Sequence, residues 1–297
     1  MKRKWIRRVS WILLTPVLLF VILMILLYIP PVQNLLRREV TAYASKATGM
    51  QIQVERIDLR FPLNLLVRGV EVIQQPDTLL SLESLNVRVQ AWPLVKGKVE
   101  VDEVTLSQVA FNSANLIEGM KIKGVLGRFF LQSHGVDLSN ELAVINQTEL
   151  SDTHVQMLMN DTTTTPKDTT ASAPVNWKVD LHKLKLKNVS FSMQLPADSM
   201  RMAAHIGEAF INDAQADLKN QFYELKQFLL SGSSANYDTG AAKPGEGFDA
   251  SHIAVRDIRI GLDSLLYKGR DMNAVIREFS MNERSGLSIT SLTGRAF

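Results

Sequence analysis

An unbroken apolar run comes first in the pattern of hydrophobic and polar positions. Nearly every residue from Trp11 to Ile29 is apolar, a length that as a helix approaches the ~30 Å hydrocarbon thickness of a bilayer. A cleaved signal peptide has a shorter run that ends in small residues, whereas Pro30 and Pro31 follow here. We therefore expect residues 1–31 to form a cytoplasmic tip and an uncleaved single-pass anchor, with these side chains in the bilayer: Trp11, Leu18, Phe20, Ile25 and Tyr28.

Beyond the prolines, the apolar positions first take a helical spacing and then alternate. The helical spacing predicts a short amphipathic helix over residues 32–49 at the membrane surface. From Gln51 onward apolar and polar residues alternate, as in strands with one buried face, so residues 50–297 are predicted to be a β domain. The helical positions and the left-handed cap that ends them are Leu36, Val40, Tyr43, Ala47 and Gly49.

The predicted strands share a repeat. Two alternating apolar residues precede a small or polar pivot residue, after which the alternation continues in the opposite phase. One extra residue in a strand moves all later side chains to the other face, so we expect a β-bulge or tight bend at each pivot. The pivots are Gly69, Gln108, Asn188 and Asp257, with a weaker copy at Asp152.

Three segments are less regular than these strands. Residues 200–230 nearly fit a helix, but a loose echo of the repeat favours strands there. Residues 160–174 are polar and broken by proline, and residues 231–247 are rich in Gly, Ser and Ala. We expect the last two segments to be exposed loops within one domain, because the strand pattern resumes after each.

Charge is unevenly distributed along the chain. It has 33 Lys and Arg against 30 Asp and Glu, a net charge of +3. Taking the five N-terminal basic residues from the 33 leaves 28 against 30, so the body lacks the basic excess that nucleic-acid binding requires. By the positive-inside rule, the same five residues place the N-terminus in the cytoplasm and the body outside it. They are Lys2, Arg3, Lys4, Arg7 and Arg8.

No pattern supports catalysis. The absence of cysteine excludes disulfides, thiolate metal sites and a cysteine nucleophile. The five histidines form no His-x-x-x-His or Glu-x-x-His pair, and no phosphate loop or nucleophile elbow occurs. We therefore predict a protein that is not an enzyme and that holds no metal or cofactor.

Several features of residues 1–112 occur together in a known family. They are the anchor, the proline-terminated span, a helix that ends Ala47-Thr48-Gly49, and the segments Leu65-x-Val67-x-Gly69-Val70-x-Val72 and Trp92-Pro93-Leu94-x-x-Gly97-Lys98-Val99-x-Val101. In these features the chain resembles the N-terminal part of the AsmA/TamB family, and beyond residue 112 the likeness is the strand repeat alone. The resemblance implies a mainly β, inner-membrane-anchored periplasmic protein of Gram-negative bacteria, whose long antiparallel sheet curls into an open apolar groove. It also implies a β domain that continues beyond residue 297.

One apolar stripe is the candidate binding surface. Such stripes usually form closed cores, but the repeat and the resemblance favour an open groove. An aliphatic groove would hold phospholipid acyl chains by burying their methylenes, about 0.8 kcal/mol each. The candidate lining residues are Leu85, Val87, Val89, Val99, Val101, Val104 and Leu106.

Three functions remain open at this point. The first, which the resemblance favours, is lipid transport between the inner and outer membranes. The second is a scaffold for outer-membrane protein assembly or secretion with an outer-membrane barrel partner, which would use an exposed sheet edge. The third is a tethered, closed β-sandwich without cargo.

Overall fold

The computed structural model describes residues 29–60, 63–90, 100–137, 140–159, 176–240 and 243–296. The predicted anchor up to Tyr28 and the five N-terminal basic residues lie outside these ranges. Within the described residues, no helix is both long and apolar enough to cross a membrane.

In the described ranges, one helix is followed by strands. The helix is α1 (Pro30–Thr48), and most of the strands are much longer than the usual five or six residues. The strands are β1 (Gln51–Arg60), β2 (Asn64–Gln74), β3 (Asp77–Val89), β4 (Val101–Asn112), β5 (Met120–Asp137), β6 (Leu142–Met159), β7 (Lys178–Leu195), β8 (Met200–Asp217), β9 (Phe222–Asp238), β10 (His252–Lys268), β11 (Asp271–Glu283) and β12 (Ser288–Ala296).

All twelve strands belong to one sheet that does not close. Each strand pairs with the next along the chain, and β1 and β12 form opposite edges. The predicted mainly β architecture is confirmed, as are strands rather than a helix over residues 200–230. The loop predicted from residue 231 is wrong in its first part, because β9 continues to Asp238.

One pair of neighbours departs from the predicted antiparallel arrangement. β6 and β7 are parallel, with Leu150 opposite Leu186, whereas every other neighbouring pair is antiparallel. Parallel neighbours need a connection that returns the chain to the starting end, and the residues between Met159 and Lys178 are numerous enough for such a crossover.

The helix has the ends that its sequence predicts. Pro30 occupies the first turn, where its missing N–H is not needed. Gly49 adopts a left-handed φ of 70° and donates its N–H to Ser45 O at 2.9 Å. The predicted helix is thus confirmed, with the difference that the prolines begin it rather than precede it.

The pivots of the repeat are kinks in the strands. Gly69, Gln108, Asp152, Asn188 and Asp257 all have positive φ, between 50° and 59°, in strands whose other residues are mostly extended. A residue in this left-handed conformation within a strand reverses the alternation of the side chains that follow. The bends predicted at all five pivots are confirmed.

Four of these five kinks differ from a one-strand bulge, whereas at Asp257 in β10 the pairing register shifts against both neighbouring strands. A bulge adds a residue to one strand only and shifts the pairing register. Across the pivot of β7, however, the pairs with β8 are Lys187–Glu208 and Val189–Ile206, so the register is the same on both sides. The same holds across Gly69 in β2, where Arg68 pairs with Ser84 and Val70 with Leu82. Because directly paired residues share a face of the sheet, the paired strand changes the phase of its side chains at the same level.

Hydroxyl groups satisfy the backbone at two of the kinks. Thr153 follows the pivot Asp152, and Ser233 follows Gly232, which also has positive φ in β9. The two side chains are 6% and 3% exposed. Each donates its hydroxyl to the carbonyl two residues earlier, that of Ser151 or Ser231. A buried carbonyl without a partner would destabilise the strand, so these hydroxyls stabilise the kinked conformation.

Substitutions at Gln108 test whether the folded sheet requires the kink at this pivot. Its side chain is exposed and its φ is 50°, a conformation that costs a non-glycine residue about 1–2 kcal/mol. We expect Gln108→Gly to raise the free energy of unfolding and Gln108→Val to lower it by about 1 kcal/mol or more, because a β-branched residue tolerates positive φ worst. Urea unfolding measures both.

The preceding residue supplies the matched control. Ser107 lies in regular strand conformation, where valine is favoured over glycine. Ser107→Val should therefore be more stable than Ser107→Gly, the reverse of the order at Gln108. The same order at both positions would show that the sheet does not need the kink.

Candidate functional site

The residues predicted to line a groove face one another across β3 and β4. Leu85 pairs with Leu106, Val87 with Val104 and Val89 with Val101. All six side chains are half-buried, and Val99 lies outside the described residues. The structure therefore places the six described residues of the stripe side by side in two neighbouring strands.

The stripe extends across the whole sheet. Following the pairs of Leu85 and Leu106 in both directions gives one residue from each strand, and every one of them is apolar. We call this set the central apolar row; it consists of Ile57, Val67, Leu85, Leu106, Phe129, Leu150, Leu186, Ala209, Leu230, Ile260, Phe279 and Leu292.

The next row on the same face is apolar as well. It contains Val87 and Val104 and is interrupted only by Thr148 and Gly294. Its members are Leu59, Leu65, Val87, Val104, Leu131, Thr148, Leu184, Ile211, Phe228, Leu262, Ile276 and Gly294. Two adjacent rows without a charged side chain thus form a continuous apolar face.

The other face of the sheet is polar at the equivalent level. Residues adjacent in sequence to the central apolar row point the opposite way, because side chains alternate along a strand. They form a polar row in which every charged side chain is exposed: Arg56, Arg68, Ser84, Ser107, Arg128, Ser151, Lys187, Glu208 and Ser231. On this face Arg88 also pairs with Glu103, at 3.1 Å.

No second layer packs on the apolar face in the part of the chain that the structure describes. Substantial packing is confined to neighbouring strands and to α1 on β1. Of the central apolar row, Ile57 and Ala209 are buried and Leu292 is 42% exposed, while the other side chains are half-buried by their neighbours in the row. A two-layer sandwich would bury the row from above. In the described residues the strands thus form a single sheet that does not close, and most side chains of the row keep part of their surface exposed.

Residues of four neighbouring strands, β7 to β10, form a small cavity on this face. Its volume is about 180 Å³, and its wall combines Phe191, Met202, Tyr237, Ile253 and Val255 with small residues. Sequence reasoning missed these residues, as it missed the aromatic members Phe129 and Phe279 of the central apolar row. The repeat contains the signal for Phe191, in the copy at Asn188, and for Ile253 and Val255, in the copy at Asp257. The remaining residues lie in strands without a copy of the repeat.

The helix closes one edge of the sheet. Arg37 Nη1 donates to Glu55 O at 2.9 Å and to Val54 O at 3.3 Å, and Gln33 Nε2 donates to Leu59 O at 3.2 Å. The N–H of Ile52 donates to Ser45 Oγ at 3.0 Å. The backbone groups that an edge strand leaves unpaired are therefore partly satisfied by side chains of α1.

Polar groups cluster around the turn before β10. The N–H groups of Gly245 and Ser251 and the ring of His252 bond the Asp249 carboxylate, which holds the pKa of Asp249 below its ordinary value. Bonds from Ser285 lower the pKa of Glu283 in the same way. Both carboxylates are bound by neighbouring backbone and hydroxyl groups, as structural carboxylates are.

Within the described ranges, no three His, Asp or Glu side chains are arranged to hold a metal ion. His182 lies 3.1 Å from Asp213 at an exposed kink of β8, and His205 contacts Ser190. Neither pair includes a residue of the two apolar rows. The feature of the described residues that suits a ligand is the apolar face.

The chain was also compared with known proteins. No protein-family model matches it, and no curated protein is significantly similar to it. The resemblance to the AsmA/TamB family therefore remains a prediction from the motifs quoted above.

Proposed function

We propose that this protein carries lipid along its apolar face between the inner and outer membranes of a Gram-negative bacterium. The observation that carries the proposal is the central apolar row, which contributes one apolar residue from every strand and has no layer over it. A lipid acyl chain needs such a surface and no specific polar partner. Burial of its methylenes supplies the binding free energy, roughly 0.8 kcal/mol each.

The kinks give this face a concave form in our proposal. Because neighbouring strands bend at the same level, the sheet can fold along the line of kinks while the apolar side chains stay on one side. We infer a trough whose axis crosses the strands, from β1 to β12. Twelve strands at about 4.8 Å spacing give a trough roughly 50 Å long.

The proposed anchor places the β1 end of the trough at the inner membrane. The apolar run that precedes Pro30 would span the bilayer, with the five N-terminal basic residues in the cytoplasm and the sheet in the periplasm. A trough that begins at the bilayer lets acyl chains leave it without crossing water. Membership of the AsmA/TamB family is part of this proposal.

Site-specific photo-crosslinking in cells tests the function. A photoreactive residue at Val87 or Leu106, on the apolar face, should capture phospholipid. The same residue at Arg88 or Thr105, one position away on the polar face, should not. Capture is read by mass spectrometry of the purified adduct. Equal capture at all four positions, or none at Val87 and Leu106, would contradict lipid carriage along this face.

A strand-pairing scaffold for outer-membrane proteins is the second candidate. It would use the unpaired backbone groups of a strand edge. Client strands would then be crosslinked at an edge strand of the sheet rather than at Val87 and Leu106. A closed β-sandwich without cargo would capture phospholipid at none of these positions.

A further inference from the structure

Helix α1 carries a polar stripe and an apolar stripe on different sides. The polar stripe, Gln33, Arg37 and Ser45, has a spacing of four and eight residues and is bonded to the edge of β1. The apolar stripe is Leu36, Val40, Tyr43 and Ala47, at the spacing of a single helix side. A helix on a soluble protein normally packs its apolar stripe and exposes its polar one, and α1 does the reverse.

The apolar stripe is open to its surroundings. Leu36, Val40 and Tyr43 are 37%, 46% and 77% exposed, and no residue of α1 is buried. The sheet edge does not need this stripe, because the polar stripe already makes the contacts with β1. An apolar stripe with no protein partner in the described residues calls for another covering surface.

The position of α1 in the chain indicates what covers it. Ile29, the last residue of the 19-residue apolar run, is also the N-cap of the helix, so no spacer separates the two. At 1.5 Å per residue, Tyr43 lies about 20 Å along the axis from the start of α1. A helix of this length that continues directly from a bilayer span and is held against a sheet edge stays within reach of the bilayer surface.

The side chains of α1 suit that surface. Tyrosine has an apolar ring and a polar tip, which favour the boundary between headgroups and acyl chains. Lys46 is exposed about 60° around the helix from Tyr43, where it can meet anionic headgroups, whereas Arg38 is exposed on the opposite side from the apolar stripe.

We propose that α1 lies in the periplasmic surface of the inner membrane, with its apolar stripe inserted among the lipids. The helix would thereby fix the edge of β1 against the bilayer through the bonds of Gln33, Arg37 and Ser45. This inference rests on the anchor of the proposed function, but it does not require that lipid bind the apolar face of the sheet.

The lack of cysteine makes a depth measurement direct, because a single introduced cysteine can be labelled alone. Tyr43→Cys and Arg38→Cys carry an environment-sensitive fluorophore on the full chain, reconstituted in vesicles of phosphatidylethanolamine and phosphatidylglycerol. Nitroxide-bearing lipids then quench the fluorophore. We expect several-fold stronger quenching at position 43 than at position 38, although position 38 lies about 7.5 Å closer to the anchor along the helix axis. Equal or weaker quenching at position 43 would overturn the proposal.

A second pair of samples separates the bilayer from lipid on the sheet. The same labels are placed in a Leu106→Glu background, which is expected to remove lipid from the apolar face. The difference between positions 43 and 38 should persist, and its loss would overturn the proposal. Failure of crosslinking at Val87 and Leu106 would count against lipid carriage but would leave this comparison valid.

Discussion

Leu106→Glu is expected to leave the sheet folded and to abolish lipid capture by the protein. Leu106 is half-buried by its neighbours Leu85 and Phe129 in the central apolar row, with no layer above it. A glutamate there keeps water around its carboxylate, so the several kcal/mol that a buried charge costs are largely avoided. Acyl chains, however, would have to displace that water at every passage.

Two measurements and one control decide this prediction. Thermal unfolding should shift by only a few degrees, and phospholipid co-purifying with the protein should fall several-fold. Ser107→Glu, one residue along and in the polar row, should change neither. If Leu106→Glu instead unfolds the protein, the apolar face is covered, and if lipid is retained, the face does not carry it.

Gly207→Ala is expected to be the most destabilising of the small substitutions. Gly207 in β8 lies beside Gly232, a positive-φ residue of β9, and a Cβ at position 207 would lie 2.5 Å from Gly232 O and 2.9 Å from Ser231 O. These are backbone atoms, so relief requires the two strands to move apart. Overpacking of this kind costs about 1–3 kcal/mol, and we expect the melting temperature to fall by roughly 2–4 °C for each kcal/mol.

Gly294→Ala in β12 is the matched control. No atom lies within 4 Å of a Cβ at that position, and Gly294 has no positive φ. Alanine there should be neutral or slightly stabilising, because it lowers the entropy of the unfolded chain. A similar loss at both positions would mean that alanine is tolerated poorly throughout these strands, and that the close approach at the kink is not the cause.

The kinks could be predicted from sequence because their cause is local. The alternation of apolar and polar residues changes phase at Gly69 and Asn188 because these residues have positive φ. The change is visible in the sequence on either side of each residue. The same signal is present at Asp213, which has a φ of 50° and lies in the segment 200–230 that loosely echoes the repeat.

Pairing and partners could not be predicted in this way. The alternation in β6 and β7 is the same whether the two strands run parallel or antiparallel, so their parallel pairing depends on the connection between them. The central apolar row likewise requires the register of every pair. Nothing in the spacing of Gln33, Arg37 and Ser45 indicates that these polar side chains would bind the backbone of β1. Such information is long-range and emerges only when the strands assemble.

The uniformity of the central apolar row has a consequence for motion. An alkyl chain that lies across the strands and advances by one strand, about 4.8 Å, leaves one set of apolar contacts and gains another apolar set. The free energy of such a chain would therefore vary little with position, and it would diffuse in one dimension with low barriers and no preferred sense. Net movement would then have to be imposed at the two ends of the row, by unequal chemical potentials of the molecules that enter and leave.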